Sequence, residues 1–450
     1  MLTLLAAQPR PRSASAEAWA LDDPSFVAAL VSGGDERLAL DPASGLNRYL
    51  CPPSPAPGMV CLSSCTASPI SDRSFQAAAR LYRRVAEPPV RMQALALEAE
   101  ALRRRIVVAF GVEDLAGAVP CTSGTDAMRM AMTLLASERP GMPVTLVLPS
   151  PAETGSSVPA AMANAAASVT PVYVALRDAA GEPRPAEAVS LDFVTAARTA
   201  PGLSIVVLTH GTKTGLVAPL DAPCGADVIV DACQARLSVR SLRHYLARGW
   251  PVAVTGSKFF GGPAFSGALL IPSARWSRSA SLSQGALNCS AVNLGMMLRW
   301  EAALGEMEAF AAGGPARALH VQECAASVFA RLAASARLTS LGGLEPSGDG
   351  WAERPTIFTF AVRDPRDRRR RLSVQELRPI YGSLAQAGVL LGQPVDLGPS
   401  GGLRIAVGAR DAGNPNFADG LDRALDLLEW TVRRPYSADA VECGGRSGDR

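Results

Sequence analysis

Lysine is almost missing from this 450-residue chain: of 44 basic residues only Lys213 and Lys258 are lysines, and the other 42 are arginines. Histidine is scarce as well, with three, and aromatic residues make up 5%. The nine cysteines form no Cys-x-x-Cys pair and no Cys/His ligand spacing, so no metal site is expected, and their odd, irregular set fits reduced thiols. Charged residues reach only 19% and the net charge is +3, which gives no field strong enough to draw nucleic acid or an anionic membrane surface. The apolar stretch Leu2 to Ala7 is too short for a signal segment or a membrane helix. A cytoplasmic protein with no nucleic-acid and no membrane partner is expected. The one dense basic run, Arg366 to Arg371 with Asp367 inside it, is expected to be a solvated loop.

Apolar residues are plentiful at 48%, enough for a large core, and the length suggests roughly two to three domains. Residues 1–57 read as an N-terminal extension or arm, with helical potential around Ser15 to Val31 and a Pro-rich irregular stretch from Tyr49 to Pro69. The amphipathic pattern from Ser74 to Phe110 predicts two helices broken at Pro88 and Pro89. After Gly111, short apolar runs alternate with Ala-rich helical stretches. The runs Val144–Leu148, Ser168–Ala175, Ser204–Leu208, Asp227–Val230, Pro251–Val254 and Gly267–Ile271 predict strands buried on both faces of a largely parallel sheet. From about Asn288 the chain is predicted helical through Leu341, followed by a strand at Thr356–Val362, a helix at Ser373–Ala387, a strand at Leu403–Val407 and a helix at Asn416–Val432. The expected division is a large α/β domain at 58–287, a smaller α+β domain at 288–436 and a disordered tail at 437–450.

Three stretches carry groups with chemistry. Cys121-Thr122-Ser123-Gly124-Thr125-Asp126 opens a helix and offers N–H groups, hydroxyls and a positive helix end, which together suit a phosphate. Asp227-Val228-Ile229-Val230-Asp231 ends an apolar strand in a carboxylate, where ligands of open α/β sheets gather. Val252-Ala253-Val254-Thr255-Gly256-Ser257-Lys258 places a lysine just past another core strand. A lysine is costly to bury unless it is neutralised or used, and arginine cannot replace it where an amine must lose its proton.

In this order the elements resemble the fold-type I pyridoxal-phosphate (PLP) enzymes, and in particular their class V aminotransferase and cysteine desulfurase branch, over residues 58 to 432. The resemblance implies an α/β large domain with a mostly parallel sheet of the seven-stranded type, plus a smaller C-terminal α+β domain. It implies that Ser123, Gly124 and Thr125 hold the phosphate, with Thr255 and Ser257 as further side-chain ligands. Asp231 matches the partner of the pyridine nitrogen, Gln234 the residue that touches the phenolic oxygen, and Lys258, 27 positions after Asp231, the lysine that forms the imine. Thr212 falls where relatives place another contact to that oxygen. Gly401-Gly402-Leu403-Arg404 resembles the strand whose arginine binds the substrate carboxylate, and Cys61 to Pro69 resembles the segment that folds over the substrate entrance. Asn288-Cys289-Ser290 occupies the region that reaches a neighbouring subunit in relatives, which implies a homodimer.

Two departures narrow the activity. No cysteine lies between Cys324 and Cys443, which disfavours the desulfurase mechanism, and Thr154 stands where the family usually presents a ring-stacking His or aromatic residue. The implied function is a PLP-dependent enzyme acting on an amino acid or related amine through a substrate aldimine and a carbanion. Transamination is the first expectation, and lyase or bond-forming chemistry is the second. A non-catalytic PLP-binding sensor is a third.

Overall fold

The structure, a computed structural model, describes residues 23–86, 91–219, 222–276, 293–342 and 354–433. The Pro88-Pro89 break, the segment Asn288-Cys289-Ser290 and the tail from 437 lie outside the described residues. Helix α1 (Pro24–Leu30) starts at Asp23, whose side chain accepts hydrogen bonds from the N–H groups of Ser25 and Phe26. Phe26 is fully buried and meets Phe75 of helix α2 (Asp72–Ala86) edge-on, with ring centroids 5.1 Å apart. Arg299, 1% exposed, holds the same segment by donating to the carbonyls of Leu30 at 2.7 Å and Ser32 at 2.6 Å. Within residues 1–57, expected as an extension or arm, Phe26, Leu30, Leu38 and Cys51 join the hydrophobic core.

Strand β1 (Val60–Leu62) and helix α3 (Arg91–Ala109) precede the large sheet. That sheet is built from β2 (Ala116–Cys121), β3 (Val144–Pro149), β4 (Val169–Val174), β5 (Leu203–His210), β6 (Val217–Ala218), β7 (Asp227–Ala232), β8 (Val252–Thr255) and β9 (Gly267–Pro272). Seven strands follow the order β2-β9-β8-β7-β5-β3-β4, with β6 folded back antiparallel onto β5. Only β9 runs against its neighbours along this path. Every residue of β3, β8 and β9 is buried, as their continuous apolar runs predict. In β4 only Val174 is buried, because the strand is at the sheet edge rather than sandwiched on both sides. The opposite edge is β2, which Ala-Gly-Ala-Val-Pro-Cys does not announce; an edge tolerates Pro120 because the missing N–H has no ladder partner to serve.

A second sheet has the order β1-β12-β13-β11-β10, with β10 (Leu338–Ser340), β11 (Ile357–Val362), β12 (Val389–Asp396) and β13 (Gly401–Ala406). Here β1 pairs in parallel with β12, so residues 60–62, expected to start the large domain, are a strand of the second sheet. Strands β10 and β12 replace an expected helix end and an expected loop. The basic run is a loop, in which Arg370 bridges Asp364 and Glu376.

The parallel core strands β3, β5, β7 and β8 end on one side of the large sheet, and β2 also ends there. Gly267, at the start of β9, pairs with Cys121 on one side and Thr255 on the other. A Cβ on Gly267 would lie 2.3 Å from the carbonyl carbon and oxygen of Ser123, so only glycine lets the turn after β2 close against the sheet. Gly267→Ala should lower stability by about 1–3 kcal/mol. A urea unfolding midpoint equal to that of the parent chain would contradict this packing.

Candidate active site

Beyond those strand ends is a cavity of about 330 Å³ whose lining includes Ser123, Gly124, Thr125, Thr154, Thr212, Asp231, Gln234, Thr255, Ser257, Lys258 and Arg404. Residues chosen from six separate stretches of sequence thus meet at one place. Ser123 caps the following helix (Gly124–Ser137) by accepting from the N–H of Asp126 at 3.1 Å. The N–H groups of Gly124 and Thr125 fall in the first turn, where a helix has no internal acceptor for them. A Cβ on Gly124 would lie 2.7 Å from Cys233 Sγ, so the turn fits tightly against the end of β7.

Asp231 is the fifth residue of β7 and is 7% exposed. Burial raises its carboxyl above the usual carboxylate range, and the N–H of Cys233, donating to Oδ1 at 3.1 Å, works against that rise. Lys258 follows β8 by three residues and faces the cavity. Its Nζ donates to the carbonyl oxygen of Thr66, and no carboxylate among the described residues forms an ion pair with it. Burial pulls its ammonium down to about 8, with Cys65 opposing and Arg404 adding to the fall. Lys213 also lines the cavity, and burial brings it to about 8 as well.

Several side chains are more committed than their sequence context suggests. The Thr212 hydroxyl donates to Glu153 Oε2 at 2.7 Å and accepts from the N–H of Leu216 at 3.0 Å, which makes it a support for the turn instead of a free ligand donor. Thr255 likewise spends its hydrogen on the carbonyl of Cys233 at 2.7 Å. Arg404, 4% exposed, donates to Gln393 O through Nε and a terminal nitrogen, to Thr66 Oγ1 at 3.0 Å and to Lys213 O at 2.8 Å. Four of its five N–H bonds are used, so one remains for a ligand and the expected bidentate grip is not available in this arrangement. Gln234 donates through Nε2 to Cys65 O at 3.1 Å, while its buried Oε1 has no partner. The buried Thr154 hydroxyl is also without a partner among the described residues.

Three contributions were not apparent from the sequence. Cys65 and Thr66, expected only as part of an entrance segment, touch Gln234, Lys258 and Arg404 through their backbone and the Thr66 hydroxyl. Glu153, 1% exposed, pairs with Arg177 at 2.6 Å and receives the hydroxyls of Thr212 and Thr214. Its place directly before Thr154 was the available signal. Arg37 and Tyr49 line the cavity from the N-terminal segment, with Arg37 in a fork with Asp35.

No protein-family model matches the sequence, and no curated protein does. Solved structures do match it. They include a cysteine desulfurase from Escherichia coli (16% identity, TM-score 0.53, covering 82% of this chain and 95% of that one). A serine palmitoyltransferase from Sphingomonas wittichii is 14% identical with a TM-score of 0.56, covering 80% of this chain and 83% of that one. The Oryza sativa TDC solved with PLP and tryptamine is 13% identical with a TM-score of 0.57, covering 82% and 83%. The fold is fold-type I. At these identities the likeness establishes the architecture, and the chemistry rests on the residues of the cavity. Among the described residues, no helix is long and apolar enough to cross a membrane.

Both lysines should react as amines at unusually low pH. Reductive methylation mapped by mass spectrometry should show midpoints near pH 8 for Lys258 and Lys213. Midpoints at the ordinary lysine value of about 10.4 would refute the burial argument. Glu153→Ala should cost about 3–5 kcal/mol, because it leaves Arg177 buried and unpaired; a loss below about 1 kcal/mol in urea unfolding would show that the pair is not needed.

Proposed function

We propose that this cavity holds PLP and that the protein is a PLP-dependent enzyme acting on an amino acid or a related amine. The observation that carries the proposal is Lys258: a cavity-facing amine, lowered to about 8 and without a carboxylate partner among the described residues, just past the strand next to the one that carries Asp231. The other residues fit the same group. The turn Ser123-Gly124-Thr125 presents helix-end N–H groups suited to a phosphate, and Ser257, just past β8, adds a hydroxyl to the cavity lining. Gln234 and Thr154 each have a buried oxygen without a partner, which a bound polar ring would meet.

When bound, PLP supplies an electron sink for the pair left as a bond to the substrate α-carbon breaks. Asp231 holds the proton on the pyridine nitrogen; its carboxylate is disfavoured by burial and so gains from a cationic N–H beside it. Lys258 would hold the cofactor at its aldehyde and would take and return a proton at the substrate α-carbon. Its low pKa keeps a substantial fraction as the neutral base near pH 8. Arg404 orients the substrate carboxylate through its remaining N–H. Orientation decides which α-carbon bond is set to break.

Transamination is the activity we assign first, in a class V-like, cytoplasmic homodimer; the dimer rests on the family resemblance and the location on the cysteine pattern and composition. A second reading, lyase or bond-forming chemistry, is favoured by Thr154, a small residue at the place where an aromatic ring would narrow the substrate side. No cysteine stands in β12, in β13 or between them, which argues against desulfurase chemistry of the family type.

Purified protein mixed with PLP should develop a visible absorption that borohydride removes, and Lys258→Ala should abolish it. Absorption that persists in Lys258→Ala, or none in the parent protein, would overturn the proposal. Amino acids that convert the bound cofactor to its pyridoxamine form would support transamination, whereas product release without that conversion would support the second reading.

A further inference from the structure

The cavity carries more positive charge than its proposed chemistry uses. Lys258 is assigned to the cofactor aldehyde and Arg404 to the substrate carboxylate, while Arg37 is neutralised by its fork with Asp35. Lys213 has no such assignment and no carboxylate within ion-pair distance among the described residues. The acids nearest to it in effect are Glu153 and Asp396. Both oxygens of Glu153 are already occupied by Arg177, Thr212 and Thr214. Asp396 is exposed at the end of β12 and accepts from the N–H of Gly398.

Lys213 is also held in place. Its backbone N–H donates to the carbonyl of Glu153 at 3.0 Å, and its own carbonyl accepts from Arg404 at 2.8 Å. Its Nζ donates to the carbonyl of Pro151 at 3.1 Å, which uses one of three ammonium hydrogens. The ammonium is thus tied along the segment that carries Thr154, on the same turn that Arg404 grips. The proposed phosphate turn is on another strand end and presents neutral donors, so Lys213 is not part of it.

We propose, on the basis of the PLP reading above, that Lys213 recognises a second anionic group on the substrate, so that the site takes an amino acid with a carboxylate side chain. Arg404 and Lys213 then hold the two ends of a dicarboxylate. A point-like ammonium with two free hydrogens suits a distal carboxylate whose angle varies with chain length, where a planar guanidinium would demand one fixed approach.

The test uses glutarate and butyrate, two acids that differ in the distal carboxylate. Binding is followed by the change in cofactor absorption in the PLP-loaded protein, and by calorimetry in the protein without PLP. The parent protein should prefer glutarate by about tenfold or more, as one charge-assisted hydrogen bond implies. Lys213→Met, which keeps the stem, should bring the ratio below about threefold. Lys213→Gln replaces the Met variant if that variant does not fold. An equal preference in parent and Lys213→Met, or no preference in the parent protein, overturns the proposal. Failure of the PLP reading is separate: it appears as absent Lys258-dependent absorption, while the calorimetric ratio still reports on Lys213.

Discussion

One primary amine is kept inside a polar cavity with a carbonyl, and not a carboxylate, as its partner. An acid paired with Lys258 would hold the ammonium charged and remove its nucleophilicity. The structure avoids this in two ways. Asp231 engages the N–H of Cys233, and Glu153 is neutralised by Arg177 and two threonine hydroxyls. What remains for Lys258 is the Thr66 carbonyl, which accepts a hydrogen bond without adding a negative charge.

Thr66 also explains how two sheets form one site. It follows β1, a strand of the second sheet, and its hydroxyl accepts from Arg404 of β13 and from the N–H of Gln393 in β12. Its carbonyl reaches Lys258 beyond β8 of the large sheet, and the preceding residue, Cys65, binds Gln234 beyond β7. Gly392 makes the approach possible: a Cβ there would be 2.6 Å from Cys65 Sγ and 2.9 Å from Arg404 Cβ. Arg404, Lys258 and Gln234 are therefore each tied to Cys65 or Thr66.

Much of the large sheet was legible because its strands are apolar runs bounded by polar residues, and the residues past their ends stand out against that background. Asp231 and Lys258 are found in that way, and the Ser123 turn by its Ser-Gly-Thr start of a helix. The Glu153–Arg177 pair was not legible, since neither residue type in a polar stretch announces a partner 24 positions away. Strand β1 is three residues long and pairs with residues near 390, so no local pattern reveals it. Strand β12 contains Gly392 and Pro394, which look like a loop until the antiparallel partner β13 supplies the ladder. The commitments of Thr212, Thr255 and Arg404 depend on non-local acceptors and follow from geometry alone.

The near absence of lysine makes the central claim directly measurable, because a cofactor fixed by borohydride has only two side-chain amines to choose between. Peptide mapping of the reduced, PLP-treated protein should find the pyridoxyl group on Lys258 at close to one per chain and leave Lys213 unmodified. Pyridoxyl on Lys213, divided between the two lysines, or on neither would contradict the account.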